Sequence, residues 1–355
     1  MTVEPEGVSR ALAMSDVAAR AGVSHQTVSR VVNGHPHVAP QTRERVERAI
    51  RELGYRPNTA ARALVTGSTR TFGFVTVTIN QYGPAQTLVG LEQAARSAGY
   101  SLSVTVLDEA TAEAMHDAVD RFAAQSVDAV LALATYDDAA EALHLVSTPV
   151  PLVTVQSGGA VEEPAVGVDQ VTGARLATRH LLDLGHRTVH HVAGPADSKE
   201  ARDRIAGWQA ELCAAGACAP GYPRGDWTPS SGYAAGRELA ARRRAGEEVT
   251  AVFLANDQMA LGLLAALHEE GLEAPRDVSV VGFDDLPEAP YFTPPLTTVR
   301  QDFAELGRRA VQLVLARLRG EDLRLEPVPP ALLVRSSTGP APVTAVPAHG
   351  RPSSC

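Results

Sequence analysis

Apolar positions near the start of the chain recur at helical spacing in two short runs, with Val17, Ala18, Ala21 and Val23 in the first and Val28 and Val32 in the second. This spacing predicts two amphipathic helices joined by a turn at Gly22, the second starting at His25 behind Ser24 as N-cap. The polar remainder of the second helix, His25, Gln26, Ser29, Arg30 and Asn33, faces outward. Gln and Arg are the side chains that make paired hydrogen bonds to adenine and guanine edges in the major groove, so a DNA-facing helix-turn-helix is expected. A third helix closes the small core with Val46, Ala49, Ile50 and Leu53 at i, i+3, i+4 and i+7, stopped by Gly54.

After Tyr55, Pro57 breaks the structure and Asn58 can cap a short Ala-rich helix over 58–67. Two turns are marginal alone in water, so this segment is expected to form only when docked. The minor groove is the expected place, with Leu64 as a wedge between base steps.

From residue 71 onward the period changes. Apolar runs at 72–78, 102–106, 129–133, 152–155, 189–193, 251–255 and 278–283 alternate with helical patterns at 87–98, 112–125, 172–184, 201–214, 232–243, 258–270 and 303–318. Such alternation predicts parallel sheets covered by helices on both faces, in number enough for two subdomains. The expected fold class is an all-α helix-turn-helix headpiece plus an α/β core of two doubly wound parallel-sheet subdomains. Ligands of such sheets sit beyond the carboxyl ends of the strands. Asn256-Asp257 and Asp284-Asp285 stand there, with Arg204 at the start of a helix. Carboxylate, amide and guanidinium together suit a polyhydroxylated ligand, since each hydroxyl both donates and accepts. Trp227 can stack on the apolar face of a sugar ring, or serve as a core aromatic.

Charge sharpens the division of labour. Residues 10–66 hold nine Arg against four acids, a balance of +5 in a chain of net charge −9, so the remainder carries −14. A basic head on an acidic body suits phosphate binding by one end only. At 355 residues and 45% hydrophobic content the chain can bury two or three cores. No run approaches the roughly 18 to 20 apolar residues of a membrane span, and no signal-peptide core opens the chain, so a cytoplasmic, nucleoid-associated protein without membrane contact is expected. Cys213, Cys218 and Cys355 are poorly spaced for a disulfide frame or zinc site and read as free thiols. An enzyme on this core would need an activated nucleophile or a metal set. There is no Gly-x-Ser-x-Gly elbow and no phosphate-cradling Gly loop, and His186, His190 and His191 lack a partner at ligand spacing. No cofactor, metal or catalytic residue is expected.

The whole chain from about Ala13 to Thr338 resembles the lac repressor family. The resemblance is carried by Val23-Ser-His-Gln-Thr-Val-Ser-Arg-Val-Val-Asn33, Ala193-Gly-Pro195, Arg202-Asp-Arg-Ile-Ala-Gly-Trp208, Gly225-Asp-Trp227, Ala255-Asn-Asp-Gln-Met-Ala-Leu-Gly262, Ser279-Val-Val-Gly-Phe-Asp-Asp285 and Pro294-Pro-Leu-Thr-Thr-Val-Arg-Gln-Asp-Phe303. It implies a DNA-binding headpiece over 13–57, a hinge helix over 58–67, a periplasmic-binding-protein-like core for effector binding and dimerisation over 71–338, and a disordered tail over 339–355. The chain is expected to cross between the core subdomains near Val168, Arg300 and Ala331.

By the same resemblance His25, Gln26 and Arg30 read bases, Ser24, Thr27, Ser29, Asn33 and His37 support them, and Asn58 and Leu64 act at the hinge. The effector pocket is expected from Gln156, Arg204, Trp227, Asn256, Asp284, Gln301 and Phe303. In the pocket two positions depart from the family pattern: Gln156 replaces an Asp and Val168 a Phe. In the recognition helix His25 replaces a Tyr. The Pro-rich tail has no Leu heptad, so a homodimer rather than a tetramer is expected. The implied function is an allosteric transcriptional repressor that holds a palindromic operator in double-stranded DNA and is released by a sugar, possibly a galactoside. A corepressor-dependent regulator of the same family is the alternative. A sugar receptor without DNA function would lack the headpiece.

Overall fold

The computed structural model describes residues 12–32, 35–55, 63, 67–145, 148–155 and 165–342, which fall into two compact units, one up to Thr69 and one from Arg70. Asn33, Asn58, Leu64 and Gln156, and nearly all of the segment 58–67, lie outside the described residues.

The first unit holds α1 (Met14–Ala21), α2 (His25–Val32) and α3 (Pro40–Leu53). Gly22 turns the chain at φ 64°, a left-handed conformation that disfavours a β-carbon, and its N–H donates back to α1 carbonyls. Ser24 Oγ accepts from Thr27 N at 3.1 Å and so caps α2. Val17, Ala18, Ala21, Val28, Val31, Val46, Ala49 and Tyr55 form the core. Val31 takes the buried place expected of Val32: three residues on from Val28, it faces inward, while Val32 and Val23 are half-buried at the margin.

The second unit begins with β1 (Thr71–Thr76), α4 (Tyr82–Ser97), β2 (Ser101–Val106), α5 (Ala112–Ala124), β3 (Ala129–Leu133), α6 (Asp137–His144), β4 (Leu152–Val155) and β5 (Ala165–Val166). It continues with α7 (Gln170–Asp183), β6 (His190–Val192), α8 (Lys199–Ala214), α9 (Pro229–Arg244), β7 (Ala251–Leu254), α10 (Asp257–Glu269), β8 (Ser279–Asp284), β9 (Thr297–Arg300), α11 (Phe303–Leu318) and β10 (Ala331–Leu333). One sheet has the order β2-β1-β3-β4-β5 and is parallel throughout. The other runs β10-β9-β8-β7-β6, with β6 to β9 parallel and β10 antiparallel at the edge. Both are doubly wound. In the first, Leu91 of α4 and Leu306 and Val314 of α11 cover one face, and Met115, Phe122 and Leu143 of α5 and α6 the other. In the second, Trp208 and Leu181 of α8 and α7 oppose Leu239 and Leu263 of α9 and α10.

The crossings fall where β5 leads through Gly167–Asp169 into α7, where β9 leads through Gln301 into α11, and where Val328 leads into β10. The first and third are bonded to each other, Val328 N donating to Gly167 O at 2.8 Å and Asp169 N to Val328 O at 2.9 Å. Helices α4 and α11 approach backbone to backbone: a β-carbon on Gly90 would lie 2.2 Å from Phe303 O, and one on Gly307 2.2 Å from Gly90 O.

Several expectations are corrected here. The antiparallel β10 departs from an all-parallel sheet, and β5, β9, β10 and α6 were not anticipated. Gly339 and Ala341, placed by sequence in a disordered tail, are bonded to the core through Ser279 Oγ at 3.0 Å and Leu184 O at 3.0 Å, because backbone donors next to a sheet are satisfied whatever the composition. Cys213 is a free, exposed thiol, as its spacing suggested, and Cys355 lies outside the described residues.

Candidate functional site

On the first unit, α2 exposes a row of polar side chains. Ser24, His25, Gln26, Arg30 and His37 are exposed, while Thr27 and Ser29 are half-buried. Ser24 and Thr27 hydroxyls bond each other at 2.9 Å, tying the capping residue to the first turn. The outward face therefore offers an amide, a guanidinium and an imidazole on one helix, the chemistry for base edges.

In the second unit a cleft lies between the two subdomains, at the carboxyl ends of the strands. Arg204, Trp227, Asn256, Asp284, Gln301 and Phe303 all line it. Sequence reasoning also grouped Asp257 and Asp285 with them, but these carboxylates are engaged elsewhere. Asp257 accepts from Leu286 N at 2.9 Å and Thr298 Oγ1 at 2.6 Å, and Asp285 pairs with Arg335 at 2.6 Å. Val168 lines the cleft, leaving that wall aliphatic.

Arg204, projecting from α8, is 4% exposed. Its Nε donates to Gln170 Oε1 at 2.9 Å, its Nη1 donates to Ala255 O, and its Nη2 lies 3.7 Å from Asp284 Oδ1. The guanidinium carbon sits 3.9 Å from the Phe283 ring centroid and 5.4 Å from that of Trp227. Gln170 Nε2 donates to Gln301 Oε1 at 2.8 Å, and Gln301 Nε2 to Asp284 Oδ1 at 2.6 Å. Asn256 caps α10 by accepting from Met259 N at 2.9 Å and donates to Trp227 O at 3.0 Å, which fixes the backbone under the Trp ring. Trp227, Asp284 and Asp285 adopt positive φ of 73°, 108° and 55°. Such strained backbone clusters at ligand sites held by their surroundings.

The opposite wall comes from the first subdomain. Tyr82 meets Phe303 edge to face with centroids 6.0 Å apart, and Gln81 Nε2 donates to the Tyr136 hydroxyl at 2.9 Å. Beside it the subdomains touch directly: Tyr136 bridges Ser198, and Arg202 grips Asp137 with two bonds of 2.7 and 2.5 Å. Gln170, Tyr82, Tyr136, Gln81 and Glu200 were missed by sequence reasoning. For Tyr82 the available signal was Pro84, which belongs in a first helical turn rather than ahead of one.

Burial sets the electrostatics. It pushes the Asp284 carboxyl up to about 6 against the pull of Arg204 and Gln301, and the Glu200 carboxyl, bonded by Ser198 Oγ at 3.2 Å, up to about 7. Tyr82 is raised to about 12, by burial first and then by Asp284 and its acidic neighbours, so its hydroxyl stays a donor. Directional donors and acceptors over aromatic and aliphatic walls can hold a small polyhydroxylated molecule.

A helix-turn-helix unit ahead of a two-subdomain core with a polar cleft defines the class of ligand-responsive DNA-binding regulators. Residues 13–58 match the bacterial regulatory proteins, lacI family, and residues 178–338 the periplasmic binding protein-like domain. The lactose operon repressor of Escherichia coli (strain K12) is 36% identical over 330 residues, 93% of this chain and 91% of that protein. The HTH-type transcriptional regulator CelR of Thermobifida fusca is 39% identical over 86% of this chain and 91% of its own, and the HTH-type transcriptional repressor PurR of Haemophilus influenzae (strain ATCC 51907 / DSM 11121 / KW20 / Rd) 31% over 91% and 98%. The crystal structure of the lac repressor dimer bound to operator and the anti-inducer ONPF superposes with a TM-score of 0.81 at 34% identity, covering 93% of this chain and all of that one. The CelR–cellobiose complex gives 0.66 at 34% identity, covering 92% and 99%. The chain belongs to the lacI family of bacterial regulatory proteins. No helix among the described residues is long and apolar enough to cross a membrane.

Proposed function

We propose that the protein is a dimeric transcriptional repressor, acting by binding alone, that holds a palindromic operator and is released by a sugar. Its place of action is the cytoplasm, at the nucleoid. His25, Gln26 and Arg30 read base edges, and Ser24, Thr27, Ser29, Asn33 and His37 support them. Asn58 and Leu64 act in the minor groove, joining a headpiece over 13–57 to a core from residue 71. Two-fold symmetry suits a second half-site about one helical turn away.

One observation carries the ligand reading: the chain of bonds Arg204–Gln170–Gln301–Asp284 presents fixed donors and acceptors to the cleft beside the Trp227 and Phe303 rings. Hydroxyls on a pyranose ring match this polarity and its apolar faces match the rings. Related solved structures hold cellobiose, ONPG and the anti-inducer ONPF, which favours a disaccharide or galactoside. The 31% identity to the transcriptional repressor PurR keeps a corepressor-dependent regulator, for which a purine is the probe, as the second reading. Calorimetry of the intact protein with lactose, cellobiose and hypoxanthine separates them: heat with a disaccharide and none with hypoxanthine supports the inducer reading, and the reverse refutes it.

A further inference from the structure

Gln170 stands apart from the other cleft residues because it is the first residue of α7, directly after the first crossing, and is only 4% exposed. Its amide touches two groups. Its oxygen accepts from Arg204 Nε at 2.9 Å, and its nitrogen donates to Gln301 Oε1 at 2.8 Å. Gln301 lies in the second crossing, between β9 and α11, and passes the chain on to Asp284 at 2.6 Å. Arg204 Nη2 lies 3.7 Å from that same carboxylate oxygen, so four side chains from four segments close a ring.

The direction of this ring has no freedom. A guanidinium only donates and a carboxylate only accepts, so with Arg204 at one end and Asp284 at the other both amides are fixed in orientation. Turning either amide would set nitrogen against nitrogen or oxygen against carboxylate. The first crossing is in turn bonded to the third through Gly167, Asp169 and Val328. A hydroxyl that engages Arg204 or Asp284 therefore acts on groups whose positions are shared with the backbone of all three crossings.

We propose that Gln170 is a positioning residue that locks the first and second crossings to the Arg204–Asp284 pair, so that occupancy of the cleft is transmitted to the segments about which the subdomains move. The ligand half of this inference rests on the sugar reading above. The structural half, that Gln170 couples two crossings distant in sequence, stands without it. Satisfied buried networks of this kind fix one arrangement and leave alternatives costly.

Gln170→Glu is the discriminating change. The new carboxylate still accepts from Arg204 and is nearly the same size, but it cannot donate to Gln301, and Gln301 can serve it only by turning its oxygen toward Asp284. Hydrogen exchange of the full chain without ligand tests the structural half. Exchange should quicken by about tenfold both at 168–172 and at 301–305, while amides of β7 and β8 stay protected. Quickening at 168–172 alone would overturn the coupling, since that is what a local cap defect gives. Fluorescence-monitored operator binding tests the transmitted half, with lactose and cellobiose as probes. Sugar affinity is expected to fall modestly, whereas the factor by which sugar weakens operator binding shrinks about tenfold. Unchanged coupling, or parallel loss of folding and operator binding, would overturn it. If wild-type protein binds neither sugar, the sugar reading and the transmitted half fall together, while the exchange result decides the structural half.

Discussion

The guanidinium of Arg204 lies over the Phe283 ring, 3.9 Å from its centroid, donates to Gln170 and Ala255, and holds Asp284 as an ion-pair partner at 3.7 Å. Planarity and several edge donors are both in use, and an ammonium supplies neither. Arg204→Lys should therefore lower disaccharide affinity by at least about tenfold and the melting temperature as well, because a buried acceptor left without a donor costs about 1–3 kcal/mol. Asp284→Asn keeps shape and burial, so it should remain folded and operator-bound while losing response to sugar. Calorimetry and thermal melting of the two variants check the pair.

Gly90 and Gly307 let α4 and α11 touch, and this contact sets the Tyr82–Phe303 edge of the cleft. Gly90→Ala places a β-carbon against Phe303 O. The expected cost is about 1–3 kcal/mol in stability, with sugar affinity falling more than operator affinity, since the headpiece is a separate unit. Equal losses in both would contradict the assignment of this wall to ligand binding.

Glu200 gives the pH dependence a sign. Burial raises its carboxyl from 4.5 to about 7, so between these values the folded chain holds a proton that the unfolded chain has released. The stabilisation is complete below 4.5 and lost as pH rises through about 7. Buried His191, pushed down from 6.5 to about 3, acts oppositely: its contribution is present above 6.5 and lost as pH falls. Melting temperatures of wild type and Glu200→Gln from about pH 5 to about pH 8 should diverge, the variant declining less toward alkaline pH. Parallel curves would contradict the raised carboxyl.

On the headpiece, Arg30→Ala should cost roughly 1–3 kcal/mol in operator binding and relax preference at one base pair, as removal of a base-reading guanidinium does. Competition assays with single-base operator variants check it. A loss uniform across random DNA would make Arg30 a phosphate contact.

Much of this was legible in the sequence because long elements declare themselves by period. The helix over Phe303–Leu318 and the strands Ala129–Leu133 and Leu152–Val155 have the limits that their apolar runs predict. The two-residue β5 and three-residue β10 carry too few positions to show alternation, and α6 is an acid-and-alanine stretch with little apolar signal. Polar residues at strand ends announced Asn256 and Asp284, with Arg204 near a helix start, but the same rule drew in Asp257 and Asp285, whose partners Thr298 and Arg335 come from distant segments. Gln170 escaped notice because its role depends on Gln301, a residue 131 positions away.

In the proposed function one molecule joins operator binding to the occupancy of a sugar cleft. Operator affinity of the purified protein, measured at fixed salt against rising lactose or cellobiose and separately against hypoxanthine, tests it most directly. A dimer on a dyad-symmetric site is expected, its affinity falling saturably with a disaccharide by a factor of about 100, or roughly 2.7 kcal/mol, and indifferent to the purine. Affinity that ignores both sugars and tightens with hypoxanthine would contradict it.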